Sequence, residues 1–265
     1  MRSPLFFRSA ILLAQVALIG GLLTACATRP TDPEDLAAYQ QANDPLEPLN
    51  RHIFNFNRGV DFWLLRPTTQ LYRFVVPAPV REAVHNFLNN LDSPLVIANE
   101  LLQGNPQRAG RAAERFAMNT VVGIGGLFDV AAKNNLPPID DDFGQTLAIW
   151  GIGDGPYLML PLLGPSDPRD ATGLAVDYVA DPVDLYLERH GVADGWIYAR
   201  TGAEVVDARS NNLKTFDQIE RTSLDYYAVV RSLYRQHRTQ QIKANSEPES
   251  AAAAPAPTKA DTSRH

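Results

Sequence analysis

Apolar positions along this chain recur with a helical period rather than a strand period. Over 79–91, Val80, Val84, Phe87, Leu88 and Leu91 share one face while Arg81, Glu82, His85, Asn86 and Asn89 fall elsewhere, the spacing of an amphipathic helix. Asp92-Ser93-Pro94 predicts the end of that helix and the start of another, which Gly104 closes. Asn105-Pro106 predicts the cap of a third, with Ala109, Ala112, Ala113, Phe116 and Ala117 opposite Arg108, Arg111 and Arg115. Trp196, Ala199, Ala203 and Val206 mark one later helix, and Leu213, Phe216, Ile219, Tyr227, Val230 and Tyr234 mark a long one. No segment alternates convincingly as a strand and no internal repeat is present, so the pattern predicts an all-α body.

The first helix of that body, in LEPLNRHIFNFNRGVDFWLLRP, breaks the one-sided pattern. Leu49, Ile53, Phe54, Phe56, Val60, Phe62, Trp63, Leu64 and Leu65 cover most of its circumference. Among the exceptions, Asn50, Asn57 and Asp61 fall on a single narrow face. Such a helix is either a core element with a satisfied polar seam or a membrane-embedded one whose polar stripe lines a wet channel.

A second anomaly is the apolar stretch GDGPYLMLPLLGPSDPRD at 153–170, whose prolines at 156, 161, 165 and 168 predict that it forms neither a regular helix nor a strand ladder. A greasy irregular loop is costly in water, so it is packed, lines a cavity or touches lipid. Gly155, Pro156, Tyr157, Leu160, Pro161, Gly164 and Pro165 are the residues of a candidate gate with glycine hinges, and Arg169-Asp170 would pin its exit as a salt bridge or a helix start. The alternative is a rigid packed connection.

The ends of the chain say where it goes. Arg2 and Arg8 flank a short apolar core, Ile11 to Leu23, followed by Leu23-Thr24-Ala25-Cys26: a secretory signal peptide, 1–25, too short for a confident span. The small residues before Cys26 resemble the bacterial lipobox, and Cys26 is the only cysteine, which lipidation explains in an exported protein where paired cysteines are usual. Buried acyl chains contribute roughly 0.8 kcal/mol per CH₂, so two or three anchor durably. Ala27 in place of Asp implies, by resemblance to the lipoprotein sorting rule, the periplasmic face of an outer membrane. A Pro- and Asp-rich tether, 26–45, precedes the helical body, 46–242, and an Ala/Pro-rich tail, 243–265, has the composition of disorder.

Charge and motifs narrow the classes. The chain carries 24 basic and 30 acidic residues, net −6, and loss of Arg2 and Arg8 with the signal peptide makes −8. That balance argues against nucleic acid. No run after Cys26 is long and apolar enough to span a bilayer. Asp142-Phe143-Gly144 lacks the other kinase elements, Gly123-Ile124-Gly125-Gly126 reads as a helix break with close packing, and no phosphate-binding Walker sequence is present. His52, His85, His190, His237 and His265 show no metal-ligand spacing, Ser166 lacks a nucleophile elbow, and Asp140 to Asp142 reads as a solvated loop. The expectation is a non-enzyme with no cofactor and no metal.

Several blocks in series resemble the MlaA (VacJ) lipoproteins: Asn43-Asp44-Pro45-Leu46-Glu47-Pro48-Leu49-Asn50-Arg51 with the following FNFN, Arg115-Phe116 with Asn119-Thr120, Gly125-Gly126-Leu127-Phe128-Asp129-Val130-Ala131, Phe143-Gly144-Gln145-Thr146-Leu147, Trp150-Gly151, the proline-broken stretch, and Ser223-Leu224-Asp225-Tyr226-Tyr227 with Arg231. The resemblance implies a ring-like, donut-shaped arrangement of amphipathic helices embedded in one leaflet of the outer membrane, beside a trimeric porin. It implies removal of phospholipids misplaced in the outer leaflet and their delivery to a soluble periplasmic lipid-binding carrier. A structural envelope tether that transports nothing is the alternative.

Overall fold

The structure is a computed structural model and describes residue 32, residues 42–192 and residues 195–246. The signal peptide, Cys26, most of the tether and the tail beyond Ser246 lie outside the described residues.

Helix α1, Glu47–Val60, passes through a π-helical segment, Asp61–Leu65, into α2, Arg66–Val75, as one continuous rod. The wider turn sits just ahead of Pro67, where the ring would otherwise meet the carbonyl four residues back. Helix α3, Ala78–Leu102, is a single element that runs through Pro94, not the two helices predicted from Asp92-Ser93-Pro94. Tertiary packing on α4, Pro106–Val121, outweighs the local penalty of about 3 kcal/mol for an internal proline. Asn105 caps α4 as predicted, accepting from the Arg108 amide.

The Gly123–Gly126 turn is a helix break with close packing: Gly125 and Gly126 have positive φ, and a Cβ on Gly126 would stand 2.4 Å from Asn90 Cβ. Two short helices follow, α5, Val130–Lys133, and α6, Phe143–Ile149. Asp129 and Asp142 cap them, each side chain accepting from a first-turn amide.

The proline-broken stretch holds an antiparallel hairpin, β1, Leu158–Leu160, and β2, Gly164–Ser166, which corrects the expectation that it cannot be regular. Pro165 lies opposite Met159, and the Met159 amide donates to Asn50 rather than across the ladder. The pair therefore needs no donor from the proline.

Helices α7, Pro168–Ala180, and α8, Pro182–Arg189, each start at a proline behind a capping Asp. They lead to α9, Gly195–Asn211, α10, Leu213–Thr222, and α11, Tyr226–Ser246. The long helix expected over 213–234 is broken at Ser223, which turns extended. Its hydroxyl donates to the Ile219 carbonyl, and Asp225 accepts from the Ala228 amide to start α11.

Packing closes on itself. Helix α1 lies on β1, β2 on α11, α11 on α6, α6 on α3, α3 on α9 and α9 on α2, which returns to α1 through the π segment. The result is a ring of helices in which one apolar cluster is formed by Phe54, Tyr157, Met159 and Tyr227, edged by Ile53, Tyr226, Val230 and Tyr234, while Leu88, Val96, Ala109, Ala112, Ala131 and Leu147 are also buried. Charged side chains tie the rest. Arg200 on α9 reaches Asp92 on α3 at 2.6 Å, Asp181 at the start of α8 at 2.9 Å and Asp184 at 3.1 Å.

The body also extends past the boundaries expected for it. Asp44 is buried and α11 continues to Ser246. Large apolar side chains face outward instead, Phe74 at 89% and Trp63 at 80% exposure among them, although no described helix is long and apolar enough to cross a membrane.

Candidate functional site

The polar stripe of α1 faces the hairpin and α9. Asn50 is buried, and its amide donates to Asp44 Oδ1 at 2.8 Å and to the Tyr157 carbonyl at 3.0 Å while its carbonyl accepts from the Met159 amide at 2.9 Å. With both ends bonded it lines no open channel, so for Asn50 the channel expectation gives way to the seam. Two turns on, Asn57 repeats the pattern, donating to the Leu160 carbonyl at 2.9 Å and accepting from the Leu162 amide at 2.8 Å. Asp61 instead receives Arg209 from α9 in a fork at 2.7 and 3.0 Å.

Between these contacts lies a cavity of about 640 Å³, lined by α1, the π segment, the hairpin, α9, α10 and α11. Asn57 and Asp61 stand in its wall, as do Gly164 and Pro165 of the hairpin. Apolar lining comes from Phe54, Phe62, Leu65, Met159, Phe216 and Val230.

Charged lining comes as pairs. Arg58 meets Glu220 at 2.5 Å, Arg66 meets Asp217 at 2.9 Å, and Arg209 also reaches Asp217 at 3.4 Å. Burial by itself would lower the Arg209 pKa, but Asp61 and then Asp217 outweigh it and hold the guanidinium charged. Burial, then the charge of Glu220, pushes the Tyr226 phenol up. A wall of mixed apolar and charge-balanced character suits an amphiphile.

The hairpin base is firmly held. The Asn43 amide donates to the Gly155 carbonyl at 2.7 Å, the Tyr157 amide donates to the Asn43 carbonyl at 2.8 Å, and Tyr157 is fully buried. Pro156 lies between those two bonds, and Leu160 pairs with Gly164 across the hairpin turn that contains Pro161. The turn leaves Leu162 and Leu163 exposed, with Leu162 at φ +65° and Gly164 at φ +88°.

At the exit, Arg169 and Asp170 are both a helix start and an ion pair: Asp167 caps α7 through the Asp170 amide at 2.8 Å, and Arg169 meets Asp170 at 2.9 Å. Asp170 also accepts from Tyr234 at 2.6 Å and Arg238 at 2.9 Å. Burial raises its pKa, yet Arg238 and Tyr234 outweigh that and hold the carboxyl below the usual range.

Sequence reasoning missed Arg58, Arg209, Phe216 and Glu220 as cavity residues. Arg58 sits beside Asn57 on the same helix, but the other three come from α9 and α10, and no local pattern points them at α1. The acidic triplet is also corrected: Asp141 is buried against Gln103 Nε2 at 2.8 and 2.7 Å, and Asp142 pairs with Arg238 at 2.6 Å. The Ser166 hydroxyl donates to the Asp167 carbonyl at 3.2 Å. Cys26 lies outside the described residues.

Ring, outward apolar side chains and mixed cavity together define a helical protein that handles amphiphiles at a membrane. The model of the MlaA lipoprotein family matches residues 42–241, and this chain belongs to that family. It is 36% identical over 229 residues to the intermembrane phospholipid transport system lipoprotein MlaA of Escherichia coli K12, covering 84% of this chain and 86% of that one. It is 34% identical over 218 residues to the lipoprotein of the same name in Haemophilus influenzae, covering 81% and 84%. An uncharacterized protein of Rickettsia bellii is 35% identical over 205 residues, covering 77% of this chain and 78% of that one. A solved structure described as the structural basis for maintenance of bacterial outer membrane lipid asymmetry matches with a TM-score of 0.65 and 35% identity, covering 75% of this chain and 98% of that chain.

Proposed function

We propose that this protein moves phospholipids in maintaining outer-membrane lipid asymmetry, taking molecules misplaced in the outer leaflet and passing them to a soluble periplasmic lipid-binding carrier. The observation that carries this reading is the mixed cavity in a ring that turns large apolar side chains outward. A charged headgroup cannot pass bare through hydrocarbon, because each unsatisfied polar group costs several kcal/mol. The paired arginines and carboxylates of the cavity offer it a polar passage, while the apolar wall accommodates the tails.

In this reading Cys26 carries the lipid that holds the protein to the periplasm-facing leaflet, and the exposed apolar side chains sit in that leaflet, beside a trimeric porin. The hairpin is the gate. Its base is fixed by Asn43 and Asn50, so opening means release of the tip from Asn57, not a hinge at Gly155. No nucleotide motif is present in the chain, so direction comes from the carrier that removes the lipid.

The test is the outer-leaflet phospholipid content of cells lacking the gene, read by chemical modification of surface-exposed lipid. A rise that the intact gene reverses and a Cys26→Ala gene does not is the expected result. Unchanged surface lipid on deletion would overturn the transport reading in favour of a tether.

A further inference from the structure

The three cavity arginines differ in how firmly they are held. Arg209 is 7% exposed and forked onto Asp61, and Arg66 and its partner Asp217 are 24% and 20% exposed. Arg58 is half exposed, at 51%, and reaches Glu220, 32% exposed, through one nitrogen and one oxygen. A guanidinium has five N–H donors, so most of those of Arg58, a lining residue that also lies 5.9 Å from the Tyr226 ring centre, are unengaged by Glu220. An exposed ion pair contributes little, so this pair exchanges partners readily where the Asp61–Arg209 fork does not.

Charge balance indicates the exchanging ligand. The three guanidinium groups of the cavity wall pair with Asp61 and Glu220, which also line it, and with Asp217, which does not, so none of them is an uncompensated charge for an anion. A ligand bearing one anion and one cation close together replaces the Arg58–Glu220 contact by two new ones. A net-anionic headgroup satisfies Arg58 and leaves Glu220 facing a neutral or negative group. Phe54, Phe62, Met159 and Phe216 provide apolar wall beside the pair, and about 640 Å³ is the volume of a ligand pocket.

We propose that Arg58 and Glu220 select a zwitterionic phospholipid headgroup, phosphate on Arg58 and ammonium on Glu220. This rests on the reading of the cavity as the lipid route. The test uses full-length lipidated protein exposed to nanodiscs of equal phosphatidylethanolamine and phosphatidylglycerol with identical acyl chains, and mass spectrometry of the lipid that co-purifies.

Wild-type protein should carry phosphatidylethanolamine over phosphatidylglycerol by roughly two- to fivefold, the worth of one exposed ion pair. Glu220→Gln should erase that preference with phosphatidylglycerol occupancy retained, and Arg58→Gln should lower both lipids. Both side chains are accessible, and unchanged thermal transitions would verify that the variants fold. Equal occupancy in wild type, or a preference that survives Glu220→Gln, would overturn headgroup selection while leaving the lipid route intact. Lipid displaced by millimolar inorganic phosphate would reassign Arg58 to a soluble anion and overturn it too. No lipid bound at all, or binding indifferent to Met159→Trp, would overturn the cavity as lipid route and the selection with it.

Discussion

Asn50 and Asn57 stand seven residues apart on α1, and each exchanges a donor and an acceptor with the hairpin, Asn50 at Tyr157 and Met159 and Asn57 at Leu160 and Leu162. Seven residues of helix rise about 10.5 Å. The two carbonyls engaged, of Tyr157 just ahead of β1 and of Leu160 at its end, are three residues apart, which is about 10 Å of extended chain. A helix and a strand running side by side therefore meet at the same two points, which explains the spacing and why both positions are asparagine. A primary amide carries its donor and its acceptor on two separate atoms, so one short side chain engages a backbone carbonyl and a backbone amide at once.

Asn57→Ala should release the hairpin tip and leave its base. The expected loss is about 1–2 kcal/mol for the half-buried site, and about 3 kcal/mol for Asn50→Ala, which strands buried groups of Tyr157, Met159 and Asp44. Urea unfolding measures the loss. Amide exchange separates the variants, Leu162 accelerating in the first and Met159 in the second. If the hairpin gates, Asn57→Ala also changes outer-leaflet phospholipid; a loosened tip with unaltered surface lipid would make it rigid packing.

Asp141 predicts a pH dependence. Burial raises its carboxyl to about 7 against the hydrogen bond from Gln103, with the charge of Glu100 adding to the rise. The folded protein thus keeps a proton that the unfolded chain releases near pH 4. The stabilisation from this group is complete below about pH 4 and is lost as pH rises through about 7, a change on the order of 4 kcal/mol. Asp141→Asn removes the titration, so the stability of wild type minus variant should fall between pH 5 and pH 8. A flat difference in urea unfolding would contradict the assignment.

Helices α6 and α7 cross at Gly144 and Gly173, where a Cβ on Gly173 would stand 2.3 Å from the Gly144 backbone nitrogen. Backbone cannot move aside as a flexible side chain does. Gly173→Ala should cost about 3 kcal/mol or more, whereas Gly110→Ala, with nothing within 4 Å of the new Cβ, should be neutral or stabilising. Thermal unfolding of the two variants checks the contrast.

Phe74 and Trp63 are the most exposed large apolar side chains of α2 and of the π segment, and Trp63 also borders the cavity. At 89% and 80% exposure, replacement by Ser should alter stability by less than about 0.5 kcal/mol. Each should weaken binding of non-lipidated Cys26→Ala protein to phosphatidylethanolamine-containing vesicles by about 1.5–3 kcal/mol, read by flotation. Undiminished flotation would place these side chains against something other than lipid.

Helical periods, capping residues such as Asn105, and the stripe of Asn50, Asn57 and Asp61 were legible in the chain because they depend on neighbours within a turn or two. Serial motif blocks carried the family for the same reason, being local. The partners of the stripe were not legible: Asn50 and Asn57 bond residues 103 to 109 positions away, and no periodicity encodes which distant backbone lies opposite a helix face. Proline rules failed in one direction. They describe a segment in isolation, while Pro94 sits in a helix packed along its length and Pro165 in a strand whose missing donor is never needed.

The solvated reading of Asp141 failed because its burial is produced by α3 and the end of α11, through Gln103 and Asn245. The sequence alone settled that the body is helical and which family it belongs to. Tertiary packing alone settled that the amides clamp a hairpin and that Arg58, Arg209 and Glu220 share one cavity, since only closure of the ring brings α1, α9 and α10 together.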